Sequence, residues 1–262
     1  MKNTLIYIPA YNAASTITRV LDRIPRKISE DVKEILIVDN ASTDETSLLA
    51  LDYKETQNQK NIEVIRNKTN LGYGGSQKLA YQRAIEKGYD AVAMLHGDAQ
   101  YAPEYLENLL NPILQGEADM IFGSRIAGDP LKGGMPWIRY LGNRFLTGLQ
   151  NRLTGASLTE YHSGYRVYST EALKKLNFES LSSDYHFDTE IIILFIEENL
   201  RIKEIPIPTH YGDEDCHVNI WKYGMDVVVT TLSYFLYRKG VYHSKNWSRI
   251  LKDAKNLAQS KH

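Results

Sequence analysis

The sequence predicts an α/β fold, a mostly parallel sheet covered by helices, on two observations. Short apolar runs alternate with segments of helical periodicity at the spacing of strand–helix–strand crossovers. The unusual residues also gather at one end of each run, where open sheets of this kind bind ligands. Those ends read PAYN (9–12), DNASTD (39–44), NKTNLGYGG (67–75), HGDAQ (96–100) and GSR (123–125). The opposite ends, KGYD (87–90) and GEAD (116–119), are bland.

In chain order, strands are expected at 4–8 (TLIYI), 34–38 (EILIV), 62–66 (IEVIR), 91–95 (AVAML) and 119–123 (DMIFG). Amphipathic patterns place helices at 15–25, 44–54, 75–87 and 103–114, with Pro103 in the first turn of the last. Then the pattern changes. IAGDPLKGGMP is rich in Gly and Pro and reads as a mobile loop; 137–154 is helical, and 160–168 turns into a strand. A helix at 187–199 and a strand at 201–207 follow. Residues 1–220 are expected to form the main domain, with 221–262 a helical C-terminal extension.

Composition bounds the function. The 262 residues are enough for a sizeable core, and a net charge of −1 gives no general field for nucleic acid or an anionic membrane. Cys216 is the single cysteine, so no intramolecular disulfide forms, which suits a cytoplasmic setting. The first apolar run is too short for a signal-peptide core, and no run approaches the roughly 20 apolar residues of a membrane span. The tail from Trp221 to Trp247 holds a shorter apolar run flanked by Lys and Arg. It reads either as a helix packed on the core or on a homodimer partner, or as an interfacial helix in peripheral contact with the inner face of the membrane.

Asp39 and Asp98 end apolar strands, where a carboxylate is costly unless paired, solvated or metal-bound. Helix capping suits Ser42 or Asp44 but not Asp98, because Pro103 starts its helix too late. If the segment is extended, Asp98 and Gln100 share a face and offer two oxygen ligands suited to Mg²⁺ or Mn²⁺, with water and substrate phosphate filling the other positions. NLGYGGSQKLA (70–80) reads either as a tight turn or as a place where backbone approaches a ligand at a helix start.

PAYN, IVDNASTD, NLGYGGSQKLA, HGDAQYAPEYL and GSR, in this order and spacing, resemble family-2 glycosyltransferases of the GT-A fold, most of all the dolichol-phosphate mannosyltransferase-like branch. The likeness spans about residues 3–210. It implies a metal-dependent, inverting transfer from a nucleoside diphosphate sugar. Pro9, Ala10, Tyr11, Asn12 and Asp39 would hold the nucleoside, with Asp39 on the base. Asn70, Gly72, Gly75 and Gly97 are further candidate donor contacts. Asp98 takes the place of the last aspartate of the DXD motif, and Gln100 matches the glutamine that often follows. The chain departs from the pattern in three places. His96 stands where the first aspartate is usual, 11–13 reads YNA for YNE, and 39–40 reads DN where a second aspartate is common. His96 is either a metal ligand or a hydrogen-bonding support.

SGYRVY (163–168) resembles the segment that follows the acceptor loop in this branch, making Arg125 and Arg166 candidates to bind phosphate. Glu160 and Glu190 are candidate general bases, which a hydroxyl acceptor requires and an ionised phosphate does not. Asp188 reads as an acid favoured at a helix start. In HYGDEDCHVN (210–219), His210 or His217 is a candidate to complete the metal shell; the spacing matches no zinc pattern. The expected acceptor is a polyprenyl phosphate or lipid-linked glycan. The alternatives are a soluble saccharide or protein hydroxyl, a nucleotidyltransferase, or a catalytically impaired sugar-nucleotide-binding protein.

Overall fold

The computed structural model describes residues 3–209 and 219–251. Seven strands form one sheet: β1 (Thr4–Ala10), β2 (Glu34–Asp39), β3 (Ile62–Arg66), β4 (Ala91–Met94), β5 (Met120–Ser124), β6 (Arg166–Ser169) and β7 (Ile202–Pro206), in the order β3-β2-β1-β4-β6-β5-β7. Pairing is parallel from β3 through β4 and between β5 and β7. β6 runs antiparallel between β4 and β5, Arg166 standing opposite both Met94 and Phe122. That reversal positions the site. The other strands deliver their carboxyl ends to one edge, and β6 delivers its amino end, so the 160–165 loop meets the strand tips.

The inner strands are apolar on both faces because helices cover both. Leu5, Tyr7, Leu36, Val38, Val92 and Met94 pack with α4 (Tyr73–Glu86) and α8 (Phe187–Glu197). Ile6, Ile8, Ile35 and Ile37 pack with α1 (Ile17–Arg23), α2 (Arg26–Asp31) and α5 (Leu106–Leu114). α3 (Thr46–Thr56) lies outside β3, and α6 (Trp137–Thr154) follows the Gly/Pro-rich loop. α7 (Thr170–Leu173) is a single turn capped by Ser169. α9 (Ile220–Arg238) packs against α6 and α8. Tyr234 on it and Trp247 beyond it are buried in the core, so the described part of the extension belongs to the same packed body.

Among the described residues no helix is long and apolar enough to cross a membrane. Residues 210–218, with His210, Cys216 and His217, lie outside the described residues.

Candidate active site

Backbone tension marks the edge. Asn12 (φ 50°), Ala41 (63°) and Ala99 (61°) are left-handed non-glycine residues just past β1, β2 and β4. An alanine held there costs roughly 1–2 kcal/mol, so surrounding contacts must fix these turns. Past β1 they are explicit. The Asn12 N–H donates to Ser42 Oγ (2.9 Å), Ala13 N–H to Thr46 Oγ1 (2.8 Å) and Ala14 N–H to Asp44 Oδ2 (3.0 Å). Asn12 Oδ1 accepts from the Thr43 N–H at 2.9 Å. The 9–12 segment is thereby laced to the 42–46 turn, with Tyr11 exposed beside it.

Asp39 is fully buried. One carboxylate oxygen accepts from the Ser42 N–H (2.8 Å) and the other from the Ser47 hydroxyl, with Arg66 at 3.7 Å. Direct contact with a base, as expected from the sequence, requires the 40–47 turn to shift. Asn40 shows why the second residue is not acidic. Its Oδ1 accepts from the Leu71 N–H (2.9 Å) and from Asn67 (3.0 Å), while its Nδ2 donates to Asn70 Oδ1 (2.8 Å). An aspartate could not donate to Asn70.

The glycine segment corrects an expectation. The N–H groups of Gly74 and Gly75 point at the Ser183 carbonyl (2.8 and 3.4 Å), and that of Gly72 at Asn70 Oδ1 (2.8 Å). Gly72 (φ 78°) has no room for a side chain against Ser183 O, and a Cβ on Gly74 would lie 2.5 Å from Ser182 O. Gly72 and Gly75 thus serve the close passage of the 182–183 turn, the Gly75 amide directed there and the Gly72 amide at Asn70. Gly97 serves a similar approach: its N–H donates to Pro9 O (3.2 Å), joining the tips of β4 and β1.

The β4 tip is a turn, not the extended segment expected. Ala99 is left-handed and the Gln100 N–H folds back to Asp98 Oδ1 (3.1 Å), so alternation no longer places Asp98 and Gln100 on one face. Asp98 keeps an open side chain, and His96 Nδ1 lies 3.8 Å from its Oδ2. The far side of the imidazole meets the Tyr73 hydroxyl (Nε2–Oη 3.2 Å), and Tyr101 stands edge-on at 5.2 Å. Tyr73 in turn donates to Asp188 Oδ2 (3.1 Å); burial, then the Asp188 charge, holds its hydroxyl well above the usual tyrosine range. Gln100, Tyr101, Arg125 and Thr209 line a small recess beside this tip.

The loop entering β6 changes the roles expected of its charges. Glu160 is buried, accepting from the Arg125 guanidinium, from the Arg125 N–H (2.7 Å) and from Asn143 of α6 (2.8 Å). Burial works to raise its pKa, yet Arg125 and these donors hold it below the usual carboxylate range. It is thus a poor proton acceptor. Arg125 also donates to His162 O (2.8 Å), so its charge braces the loop at the edge of the recess. His162, bonded to Tyr223 of α9 (2.8 Å), is pushed down to about 4 by burial.

Arg166 does not reach the edge. It is fully buried over the Phe122 ring, donates to the carbonyls of Ser163, Tyr161 and Asp188, and pairs with the Asp188 carboxylate at 3.2 Å. The expectation that it binds phosphate gives way to a structural one. Its strand begins at the edge but its side chain turns inward. Glu190 is buried too, accepting from the Ser182 N–H (2.6 Å), and burial raises its pKa against that bond, His186 and Lys78. It holds the 182 turn. Sequence reasoning missed Tyr73 and Asn143 and read Asp188 as a helix-start acid; no local signal shows that a buried arginine pairs with that acid or that a tyrosine links it to a strand-tip histidine.

Among the described residues no three His, Cys, Asp or Glu side chains cluster as a metal cage. The donor set fits a different arrangement. One carboxylate and one imidazole, both partly open at the tip, suit a hard divalent ion whose remaining positions are filled by water and substrate phosphate.

An open α/β sheet with its polar groups at the carboxyl edge and an acid at the tip of β4 has its candidate ligand site where such sheets bind ligands. The chain belongs to glycosyl transferase family 2, whose model matches residues 5–177. It is 30% identical over 225 residues to UDP-N-acetylglucosamine–dolichyl-phosphate N-acetylglucosaminyltransferase of Methanococcus voltae, covering 81% of this chain and 88% of that one. It is 26% identical to polyprenol monophosphomannose synthase of Mycolicibacterium smegmatis, covering 79% and 77%. In fold it matches glucosyl-3-phosphoglycerate synthase from Mycobacterium tuberculosis, solved with Mn²⁺, UDP and phosphoglyceric acid, at a TM-score of 0.69 and 18% identity, over 93% of this chain and 80% of that one.

Proposed function

We propose that this family-2 glycosyltransferase moves a sugar from a nucleoside diphosphate sugar to a polyprenyl phosphate, with inversion at the anomeric carbon and with a divalent metal at the β4 tip. The carrying observation is the state of Glu160: the acid of the acceptor loop is buried and committed to Arg125 and Asn143. An acceptor whose oxygen is already ionised needs no base from the protein. The names of the relatives agree in substrate class, since both act on polyprenyl-type phosphates.

Asp98, with His96, would hold the metal, which neutralises charge on the departing diphosphate. The 9–12 and 39–47 turns would hold the nucleoside, and Arg125 braces the acceptor loop. The test is transfer from radiolabelled donors to a polyprenyl phosphate and to the matching free polyprenol, with Mn²⁺. Transfer to the phosphate alone is expected. Equal transfer to the alcohol, or to a soluble saccharide only, overturns the reading.

A further inference from the structure

His96 is the residue by which this chain departs from its family's acidic motif, and the atoms around it fix more than its position. Behind it lies a buried chain of side chains: His96 Nε2 to the Tyr73 hydroxyl (3.2 Å), that hydroxyl to Asp188 Oδ2 (3.1 Å), and Asp188 to Arg166 (3.2 Å). The other Asp188 oxygen accepts from Gln77 at 3.1 Å. Arg166 is always charged and has no exposed surface, and the Asp188 carboxylate is its ion-pair partner. A carboxylate only accepts hydrogen bonds.

Tyr73 has one hydroxyl hydrogen, and Asp188 takes it. Towards His96 the tyrosine oxygen can only accept. His96 must therefore donate from Nε2, so the lone pair of the neutral imidazole lies on Nδ1, the Asp98 side.

We infer that Tyr73 and Asp188 are positioning residues that hold His96 as the Nε2–H tautomer, so that Nδ1 takes the place of the missing acid as a ligand to the donor's metal. Two observations support it independently. The Nδ1–Oδ2 separation of 3.8 Å is longer than a hydrogen bond, so Asp98 does not require a proton on Nδ1. The loop opposite is also cut to fit the ring: a Cβ on Gly164 would overlap Nε2 and lie 2.7 Å from Cε1. The Gly164 N–H donates to the Tyr101 hydroxyl (2.8 Å), and the Tyr101 ring stands edge-on to the imidazole, so the ring is held from both sides. Histidines that bind metals generally donate their other N–H to a fixed acceptor, which sets ring orientation and basicity. Here that acceptor is a tyrosine whose own proton is anchored elsewhere.

The inference rests on the metal-dependent reading, and the experiment separates the two. Long-range ¹H–¹⁵N spectra of histidine-labelled, metal-free protein report the tautomer directly, with His96→Asn identifying the signal. The wild type should show one Nε2–H form. Tyr73→Phe keeps the ring that stacks on Tyr185 (5.1 Å) while removing the acceptor, and should give a mixture of tautomers. Mn²⁺ titrations with inorganic pyrophosphate, read by electron paramagnetic resonance, should weaken roughly 10-fold in Tyr73→Phe. Gly164→Ala, whose Cβ would overlap Nε2 and lie 3.1 Å from the Tyr73 hydroxyl, displaces the ring from this chain and should weaken Mn²⁺ similarly. A wild-type proton on Nδ1 overturns the inference whatever the metal does. If Asp98→Asn abolishes Mn²⁺ binding but Tyr73→Phe leaves it unchanged, the positioning role fails alone. Unchanged binding in Asp98→Asn removes the metal reading, and the ligand role of Nδ1 with it.

Discussion

Asp98 and Asp39 both end apolar strands, yet they face opposite fates. The Asp98 side chain is 39% exposed, while that of Asp39 is 0% exposed and bonded at both oxygens. Asp98→Asn should therefore leave the urea midpoint nearly unchanged and abolish metal-dependent donor binding in calorimetric titration. Unchanged affinity would remove Asp98 from the metal site. Asp39→Ala leaves the Ser42 N–H and Ser47 hydroxyl without their acceptor and should cost about 1–3 kcal/mol of stability. If Asp39 also contacts the base, nucleoside diphosphate binding weakens in protein that is still fully folded. His162 adds a pH dependence. Its folded pKa lies near 4 against 6.5 unfolded, so the unfolded state binds the extra proton between those values, and stability falls as pH drops through that window. The loss is about 2 kcal/mol by roughly pH 5. The groups acting on it are Glu160, Arg125 and Arg166. The Glu160 carboxyl is depressed, so its own loss of stability begins only as pH falls below 4.5, at the bottom of the His162 window. His162→Asn should flatten the stability profile between about pH 5 and 7; an unaltered profile would show that His162 is not buried neutral.

At the scale of elements, the glycines at the start of α4 are structural spacers. Gly74→Ala would set its Cβ 2.5 Å from Ser182 O and 2.7 Å from Phe187 Cβ, and should destabilise by about 1–3 kcal/mol, read as a lower urea midpoint. The same case shows what the sequence can and cannot say. Apolar runs, the periodicity of the helices and the polar strand ends made the sheet, its functional edge and the Pro103 helix start legible, because each is a local pattern. The purpose of the NLGYGGSQ glycines was not local: they face Ser182 and Ser183, more than a hundred residues away. Nor does a strand's composition tell its direction, so the antiparallel β6, which turns Arg166 inward to Asp188, could not be read. α2 was hidden behind Pro25, and the turn at Ala99 breaks an alternation that assumes an extended chain.

Over the whole molecule, the 160–165 loop is joined to two helices with apolar outer faces. α6 supplies Asn143 to Glu160, and α9 supplies Tyr223 to His162. Outward, α6 exposes Ile138 (84%), Leu141 and Phe145, and α9 exposes Trp221 (88%), Met225 and Val229. Within each set the spacing of three or four residues keeps the side chains on one face. A polyprenyl phosphate is presented at a bilayer surface, and helices that lie in such a surface carry aromatic and aliphatic residues on the buried side. We therefore expect this face to meet the membrane while the strand tips face the headgroups. The doubly exposed change Ile138→Asp with Phe145→Asp disturbs no core contact, so folding and Mn²⁺-dependent donor binding should stay as in the parent. Co-sedimentation with vesicles of mixed neutral and anionic lipid should fall about 10-fold, since burying each side chain is worth roughly 1.5–3 kcal/mol and a tenfold change needs about 1.4. Transfer to acceptor embedded in those vesicles should fall with it, while transfer to a short-chain, water-soluble polyprenyl phosphate should not. Equal sedimentation of the variant and parent would take this face away from the membrane, and a parent dimer that the variant loses, seen by light scattering, would give it to a second copy of the chain instead.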